Sequence, residues 1–374
     1  MTAVTTVQPK AELDAALIKA AWNDDVAEAR RLIAVGADVN AKDATEQNAF
    51  LIASSEGYLE LLEHTLANGA DVAIHDSYDG TALIRAAERG HGAIVGRLLQ
   101  TDIAVDHVNN LGWTALHESI VLGKGSPRYV DTVRLLVAGG ADLHIAPKRD
   151  GIAPIEHARR LGQSNVVKTL ESALGKPPAD PNAALLDAAA NGDADAAAVA
   201  LRAGAEIETR DGSDRTPLLL SASADHVHVA RLLVLLGADP DALDNRGDTP
   251  WLVTGVTGSV AMGETLLAGR PDLTIRNRFG GIAIIPASER GHVDYVRWVV
   301  TTGINVNHVN NLGWTALLEA VILGDGTEPY QQIVTILIDA GADPKLADRD
   351  GVTALAHARN RGQSTVVAIL ERLG

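Results

Sequence analysis

Apolar residues along this chain come in short clusters at helical spacing, each closed by a glycine and followed by a polar, extended stretch. In the segment from Thr81 to His91, Leu83, Ala86 and Ala87 form one apolar stripe, with small residues that permit close approach. Thr81 can cap the exposed N–H groups at the helix start. Gly90 supplies the left-handed conformation that ends the helix. A second helix is predicted through Ile94, Val95, Leu98 and Leu99, and the short polar stretch through Asn110 suits a hairpin finger. The unit then recurs. Gly36-Ala37-Asp38 and Gly69-Ala70-Asp71 lie 33 residues apart, Asp102 holds the next register position, and Gly140-Ala141-Asp142 follows after 38. Gly204-Ala205-Glu206, Gly237-Ala238-Asp239, Arg270-Pro271-Asp272, Gly303-Ile304-Asn305 and Gly341-Ala342-Asp343 continue at intervals of 33, 33, 33 and 38.

A period near 33 with helix–turn–helix content resembles the ankyrin repeat and its T-P-L-H-x-A pattern. Thr114-Ala115-Leu116-His117 fits that pattern closely, while Thr216-Pro217-Leu218 and Thr249-Pro250 fit its start. The resemblance covers nearly the whole chain from about Ala11. It implies an all-α solenoid of about eleven helix-turn-helix repeats with β-hairpin fingers, elongated in solution, each repeat packed on its neighbours. It points to recognition more than to chemistry and does not name a partner.

Composition agrees with such a stack. Only 3% of the residues are aromatic against 46% hydrophobic, so the core has to be built from Ala, Val, Leu and Ile. A length of 374 residues would ordinarily suggest two or three globular domains, but the periodicity overrides that prior. The absence of cysteine excludes disulfides and thiolate metal sites and leaves the redox compartment open. Met1 to Lys10 lacks the apolar run of a signal peptide, and no stretch approaches a membrane span, so a cytoplasmic location is the expectation. The net charge of −16 is spread evenly: 23 acidic against 16 basic residues up to Gly175, and 25 against 16 beyond it. That field disfavours nucleic acid and anionic membrane and favours a basic partner.

The chain also repeats itself on a longer scale. Residues 107–116 recur identically at 308–317, and the match runs on through Glu118/Glu319, Tyr129/Tyr330, Arg149-Asp150-Gly151/Arg349-Asp350-Gly351 and Gly162-Gln163-Ser164/Gly362-Gln363-Ser364. The offset is 201 at the tryptophans and 168 near the starts, where Ala16-Leu17-Ile18 aligns with Ala184-Leu185-Leu186; the difference is one repeat. The expectation is an internal duplication: residues 11–175 as a first half of about five repeats, 176–182 as a linker or shortened finger, and 183–374 as a second half of about six. Lys176-Pro177-Pro178 opens that linker, and Gly175 and Gly374 close matching terminal helices. The Ala-rich stretch 183–200 has little polarity for a separate cap, which favours a continuous or slightly kinked stack over two capped halves.

Candidate sites cluster in the recurring segment. Trp113 and Trp314 open inner helices just after fingers, where an aromatic can anchor a partner on the concave face or cover a finger junction. Asn109-Asn110 and Asn310-Asn311 suit tight turns. Glu118 and Glu319 stand in apolar stretches, where a buried carboxylate usually bonds a neighbouring backbone or Trp N–H but could serve a ligand or acid–base chemistry with nearby His107 or His308. Arg276, Arg278 and Phe279 make a basic fingertip on an acidic chain, and Lys148-Arg149 make a second. The long repeats carry five extra residues at Gly123–Tyr129 and Gly324–Tyr330, either a groove wall or an insertion packed on its neighbour. His91, His226 and His292 follow inter-helix turns. His226 and His228 point to different helix faces and make a poor metal site. His157 and His357 belong to polar terminal helices.

No nucleophile elbow, Walker loop or dinucleotide fingerprint is present, so no catalytic residue, cofactor or metal is implied. The expected function is a non-catalytic binding scaffold recognising an unidentified protein partner through finger tips and the concave inner-helix face. The candidate binding residues are Trp113, Trp314, Asn110, Asn311, Glu118, Glu319, His107, His308, Arg276 and Arg278. The alternative is an enzyme or small-molecule binder with a duplicated groove site around Glu118 and Glu319. Convergence of Glu, His and Trp in one pocket with a shifted carboxylate would favour the alternative.

Overall fold

The computed structural model describes residues 9–147 and 151–373. The leader reading of the first residues, the basic tip at Lys148-Arg149 and the closing role of Gly374 lie outside the described residues. Among those described, the chain forms 22 α-helices and one short 3-10 turn after the eighteenth, the number expected for eleven helix pairs. The first repeats supply α1 (Lys10–Trp22), α2 (Val26–Ala34), α3 (Ala49–Glu56), α4 (Leu59–Ala67), α5 (Ala82–Arg89) and α6 (Gly92–Leu98). Next come α7 (Ala115–Val121), α8 (Pro127–Ala138), α9 (Pro154–Arg160), α10 (Ser164–Leu174), α11 (Pro181–Asn191) and α12 (Ala194–Arg202). The remainder holds α13 (Pro217–Ser223), α14 (Val227–Leu235), α15 (Pro250–Thr257), α16 (Val260–Leu267) and α17 (Ile284–Glu289). It ends with α18 (Val293–Val299), α19 (Ala316–Ile322), α20 (Glu328–Asp339), α21 (Ala354–Asn360) and α22 (Ser364–Leu373).

Two compact units emerge. One takes the described residues up to Pro181 together with Ala194–Ala205 and Leu235–Gly237; the other takes Asn182–Asp193, Glu206–Val234 and the described residues from Ala238 onward. In the first, inner helices α1, α3, α5, α7 and α9 stack in order, and α12 packs on α8 and α10. There Asp195, at the start of α12, is buried and held by Arg134 Nε at 2.8 Å, Thr169 Oγ1 at 2.7 Å and Lys168 Nζ at 3.3 Å. In the second, α13, α15, α17, α19 and α21 stack, backed by α16, α18, α20 and α22.

Most of these helices are shorter than a dozen residues, too short to persist alone. Caps and neighbours hold them. Asn48, Thr81, Thr114, Thr216, Thr249, Thr315 and Thr353 each accept the N–H of the third helical residue on an inner helix. Gly57, Gly90 and Gly258 end helices with φ of 85°, 69° and 72°. Alanine, leucine, isoleucine and valine make up nearly the whole core.

The recurring Gly-Ala-Asp has a physical cause. Its acid accepts the N–H two residues on, as Asp38 does from Asn40, Asp71 from Ala73 and Asp343 from Lys345. The N–H of the same residue is taken up by a side chain one repeat earlier: Asp71 by Asn40 Oδ1 at 2.8 Å, Asp239 by Glu208 Oε1 at 2.8 Å, Asp343 by Asn307 Oδ1 at 2.8 Å. Fingers are tight turns, and antiparallel bridges form at His75–Thr81 and Ala347–Thr353.

A second lock ties several inner-helix ends to the next repeat. His91, His226 and His292 set Nε2 at 3.0, 3.1 and 3.1 Å from the carbonyls of Ser55, Ala190 and Val256. Their rings lie so close over Gly57, Gly192 and Gly258 that a Cβ there would come within 2.7, 2.6 and 2.5 Å. In the two long repeats a tyrosine replaces the histidine. Tyr129 Oη donates to Glu88 O at 2.9 Å and Tyr330 Oη to Glu289 O at 3.0 Å. The five-residue insertions therefore pack on their neighbours, with Gly123 and Gly324 beneath those tyrosine rings.

Leu98 is fully buried while Leu99 is only half-buried. Leu98→Ala should cost about 2–5 kcal/mol through a core cavity, and Leu99→Ala clearly less, both read from urea denaturation. Gly258→Ala should cost more than the roughly 1–2 kcal/mol of left-handed strain alone. Combining it with His292→Ala should return the excess in a double-mutant cycle.

Candidate functional site

Eight fingers among the described residues turn around one Asp or Asn. Asn310 Oδ1 accepts the N–H groups of Leu312 at 2.9 Å and Trp314 at 3.0 Å, while its own N–H reaches the Trp314 carbonyl at 3.0 Å. Asp43, Asp76, Asn109, Asp211, Asp244, Asn277 and Asp348 make the same pair of bonds to residues two and four places on. At Asp76, Asn109, Asn310 and Asp348 one side-chain atom then remains and bonds the inner-helix residue nine places downstream.

What stands there matches its charge. Asp76 pairs with Arg85 and Asp348 Oδ2 with His357 Nε2 at 2.7 Å. At the two neutral amides Asn109 and Asn310 a carboxylate stands there instead, whereas nine places from Asn277 stands Pro286. Asn109 Nδ2 donates to Glu118 Oε1 at 2.8 Å, and Asn310 Nδ2 to Glu319 Oε1 at 2.8 Å. An aspartate at either turn would face the glutamate with like charge.

These two glutamates are only 2% and 5% exposed. Burial pushes the Glu319 carboxyl up to about 7; the neighbouring Glu289 adds to the rise, while the Asn310 bond and Arg290 oppose it. Glu118 is raised as well, first by burial. Glu118 Oε2 and Trp113 Nε1 are both buried without a hydrogen-bond partner.

Within the second unit, fingers 244–248, 277–281 and 310–314 and the inner helices α13, α15, α17 and α19 enclose a groove of about 560 Å³. Trp314, Glu319 and Arg278 line it together with Asn310, Phe279, Leu312, Glu289 and Arg290. Phe279 is 58% and Leu312 53% exposed, and the Arg278 guanidinium lies 4.6 Å over the Phe279 ring while Nη1 reaches Asp248 at 3.3 Å. Arg276, His308 and Asn311 are not among the groove's lining residues. Arg276 is exposed on the fingertip, His308 Nε2 lies 2.7 Å from the Gly280 carbonyl, and the Asn311 N–H donates to Phe279 O at 2.9 Å. Their counterparts behave alike: His107 Nε2 lies 2.7 Å from Asp79 O, and the Asn110 N–H donates to Tyr78 O at 3.0 Å.

The surroundings of Glu118 differ in kind. At the offset of 201, Pro286 and Asn277 correspond to Arg85 and Asp76. Arg85 bonds Asp76 and Glu88 and lies 5.4 Å from the Tyr78 ring centroid, so a paired guanidinium stands where the second unit has a proline in its groove wall. Sequence reasoning passed over Asn109 and Asn310 as turn formers, and Leu312 and Pro286 altogether. The signal available was the nine-residue pairing, Asp with Arg or His and Asn with Glu.

Folded Glu319 keeps its proton to about pH 7, whereas an ordinary glutamate loses it near 4.5. The native state binds more protons between those values, so this stabilisation is present below that window and lost as pH rises through it. Glu319→Gln should therefore stabilise the protein at pH 8 by on the order of 2 kcal/mol and change it little at pH 4.5, as read from melting temperatures.

Comparison with known proteins fits this geometry. The family described as "Ankyrin repeats (3 copies)" matches residues 50–147 and 253–348, and a single "Ankyrin repeat" matches 213–245. A putative ankyrin repeat protein, YahD, of Escherichia coli K12 is 36% identical over 188 residues, spanning 50% of this chain and 94% of that protein. A solved ankyrin repeat protein is 33% identical at a TM-score of 0.50, covering 52% of this chain and 98% of the other. An ankyrin repeat domain from Acinetobacter baumannii is 47% identical at a TM-score of 0.49, covering 51% of this chain and 97% of its own. With its period, its capped helix pairs and more than half its length matched, the chain belongs to the ankyrin-repeat family.

Proposed function

We propose that this protein is a non-catalytic scaffold that binds a segment of a protein partner in the groove between fingers and inner helices of the second unit. Ankyrin repeats are generally interaction scaffolds, and no helix among the described residues is long and apolar enough to cross a membrane. One observation carries the reading. Phe279 and Leu312, large and more than half exposed, flank a groove that also holds Arg278, Trp314 and the buried carboxylate of Glu319. Aromatic and arginine side chains around a recess are the composition of binding hot spots. The acidic chain and the nearby Glu289 favour a partner segment with apolar side chains and a basic residue.

The same proposal reads residues 11–175 and 183–374 as two halves of about five and six repeats joined by 176–182, arisen by internal duplication. The identity of 107–116 with 308–317 supports it, as do relatives that align over about half this chain. The halves then differ in use, since Arg85 stands in the first where Pro286 stands in the second.

A photo-crosslinking residue at position 312, introduced in the native host, should trap a protein. The purified partner should then bind Phe279→Ala and Trp314→Ala at least ten-fold more weakly, with circular dichroism unchanged. Undiminished binding by both variants sinks the groove proposal. The second reading, a small-molecule or acid–base site, is favoured by Glu319 holding its proton to near neutral pH. A small molecule co-purifying with the chain and lost in Glu319→Gln would favour that reading over the scaffold.

A further inference from the structure

A side-chain cluster in the first unit plays no part in the groove. His75 and Asp79 flank one fingertip, and His107 enters from the next finger. His75 Nδ1 lies 2.7 Å from Asp79 Oδ1, and His107 Nε2 lies 3.5 Å from Asp79 Oδ2. One ligating atom from each residue falls within 4.8 Å of the others, and the two imidazole centroids are 4.1 Å apart. All three residues are partly exposed, so the cluster is reachable from solution. Asp79 is held in a left-handed conformation, φ 58°, by the turn bond from its N–H to Asp76 O at 3.0 Å.

The recurring segment offers an internal comparison. His308 corresponds to His107 and makes the same 2.7 Å contact with the carbonyl of the preceding finger, at Gly280. Yet at the offset of 201, Arg276 stands for His75 and Gly280 for Asp79. The finger junction thus forms without the His–Asp–His set, and the second imidazole and the carboxylate are additions to a contact the fold already makes.

We propose that His75, Asp79 and His107 form a binding site for a divalent transition metal ion of the zinc, cobalt or nickel type. Two imidazoles and a carboxylate are the donor set such ions take, with the partly exposed face leaving a coordination position for water. A tetrahedral ion about 2.0–2.1 Å from each donor needs donor pairs about 3.3 Å apart; His107 Nε2 at 3.5 Å from Asp79 Oδ2 is close to that, and His75 Nδ1 moves out from 2.7 Å. His107 Nε2 turns from the Asp79 carbonyl to the ion. Lys42, which caps the His75 carbonyl at 2.7 Å, is itself paired with Glu46 at 2.9 Å, which moderates its repulsion of a cation.

The test uses the full chain without a histidine tag, stripped with chelator and titrated with zinc chloride by calorimetry, then with cobalt chloride by visible absorption. The expected result is one saturable site per chain and a tetrahedral cobalt spectrum. His75→Arg with Asp79→Gly, residues the recurring segment already carries, should weaken binding at least ten-fold while circular dichroism is unchanged. His308→Ala should leave binding as it was. No saturable binding, or binding undiminished in the double variant, overturns the proposal. Should the double variant fail to fold, His75→Gln alone must show the same loss.

Discussion

The fold depends on left-handed glycines that let a neighbouring side chain close over a helix end. At the end of five inner helices a left-handed glycine leaves its face bare, and a ring from the following repeat settles there and reaches a helix-end carbonyl. His91 over Gly57, His226 over Gly192 and His292 over Gly258 are the plain form, and Tyr129 over Gly90 and Tyr330 over Gly291 are the form fitted to a longer connection. In the repeats that follow the long ones, Gln163 and Gln363 do the same work over Gly125 and Gly326, donating to the Ile120 and Val321 carbonyls. One contact meets three demands. It terminates a short helix, satisfies a carbonyl that helix end leaves open, and sets the register of the next repeat.

The finger side is held by charge and amide geometry. Aspartates, asparagines and one glutamate accept the backbone N–H groups of tight turns and of the next repeat's Gly-Ala-Asp segment, which gives many acids of this chain a structural task. The surplus of 16 negative charges is therefore in good part a consequence of how the repeats are joined. Its effect on a partner is a long-range field laid over those local duties.

On this frame the recurring segments diverge at a few positions. An Asp–Arg pair in one becomes Asn–Pro in the other, and a groove lies beside Glu319 where Arg85 stands near Glu118. A His and an Asp in one become Arg and Gly in the other, and a cluster of three metal-type donors is present only once among these two junctions. Because each repeat contacts mainly its neighbours, such exchanges alter one stretch of surface and leave the stack intact.

The 33-residue period, the threonine caps, the closing glycines and the five-residue insertions were all legible along the chain, because each is a local pattern that backbone sterics and helix periodicity impose. Helix number and the apolar stripe through Leu83, Ala86 and Ala87 followed from them. Trp314, Glu319 and Arg278 could be singled out as candidates, though not as neighbours. That they share a groove, while His308 and Asn311 turn to finger junctions, depends on side chains some 30 residues apart meeting across stacked repeats. The nine-residue match of Asn with Glu needed the turn geometry to show that one amide hydrogen was left over. The elevated proton affinity of Glu319 needed its burial and the approach of Glu289. Local propensity wrote the repeat into the sequence; only the stacking of one repeat on the next decided which side chains face each other, because that depends on distance in space and not along the chain.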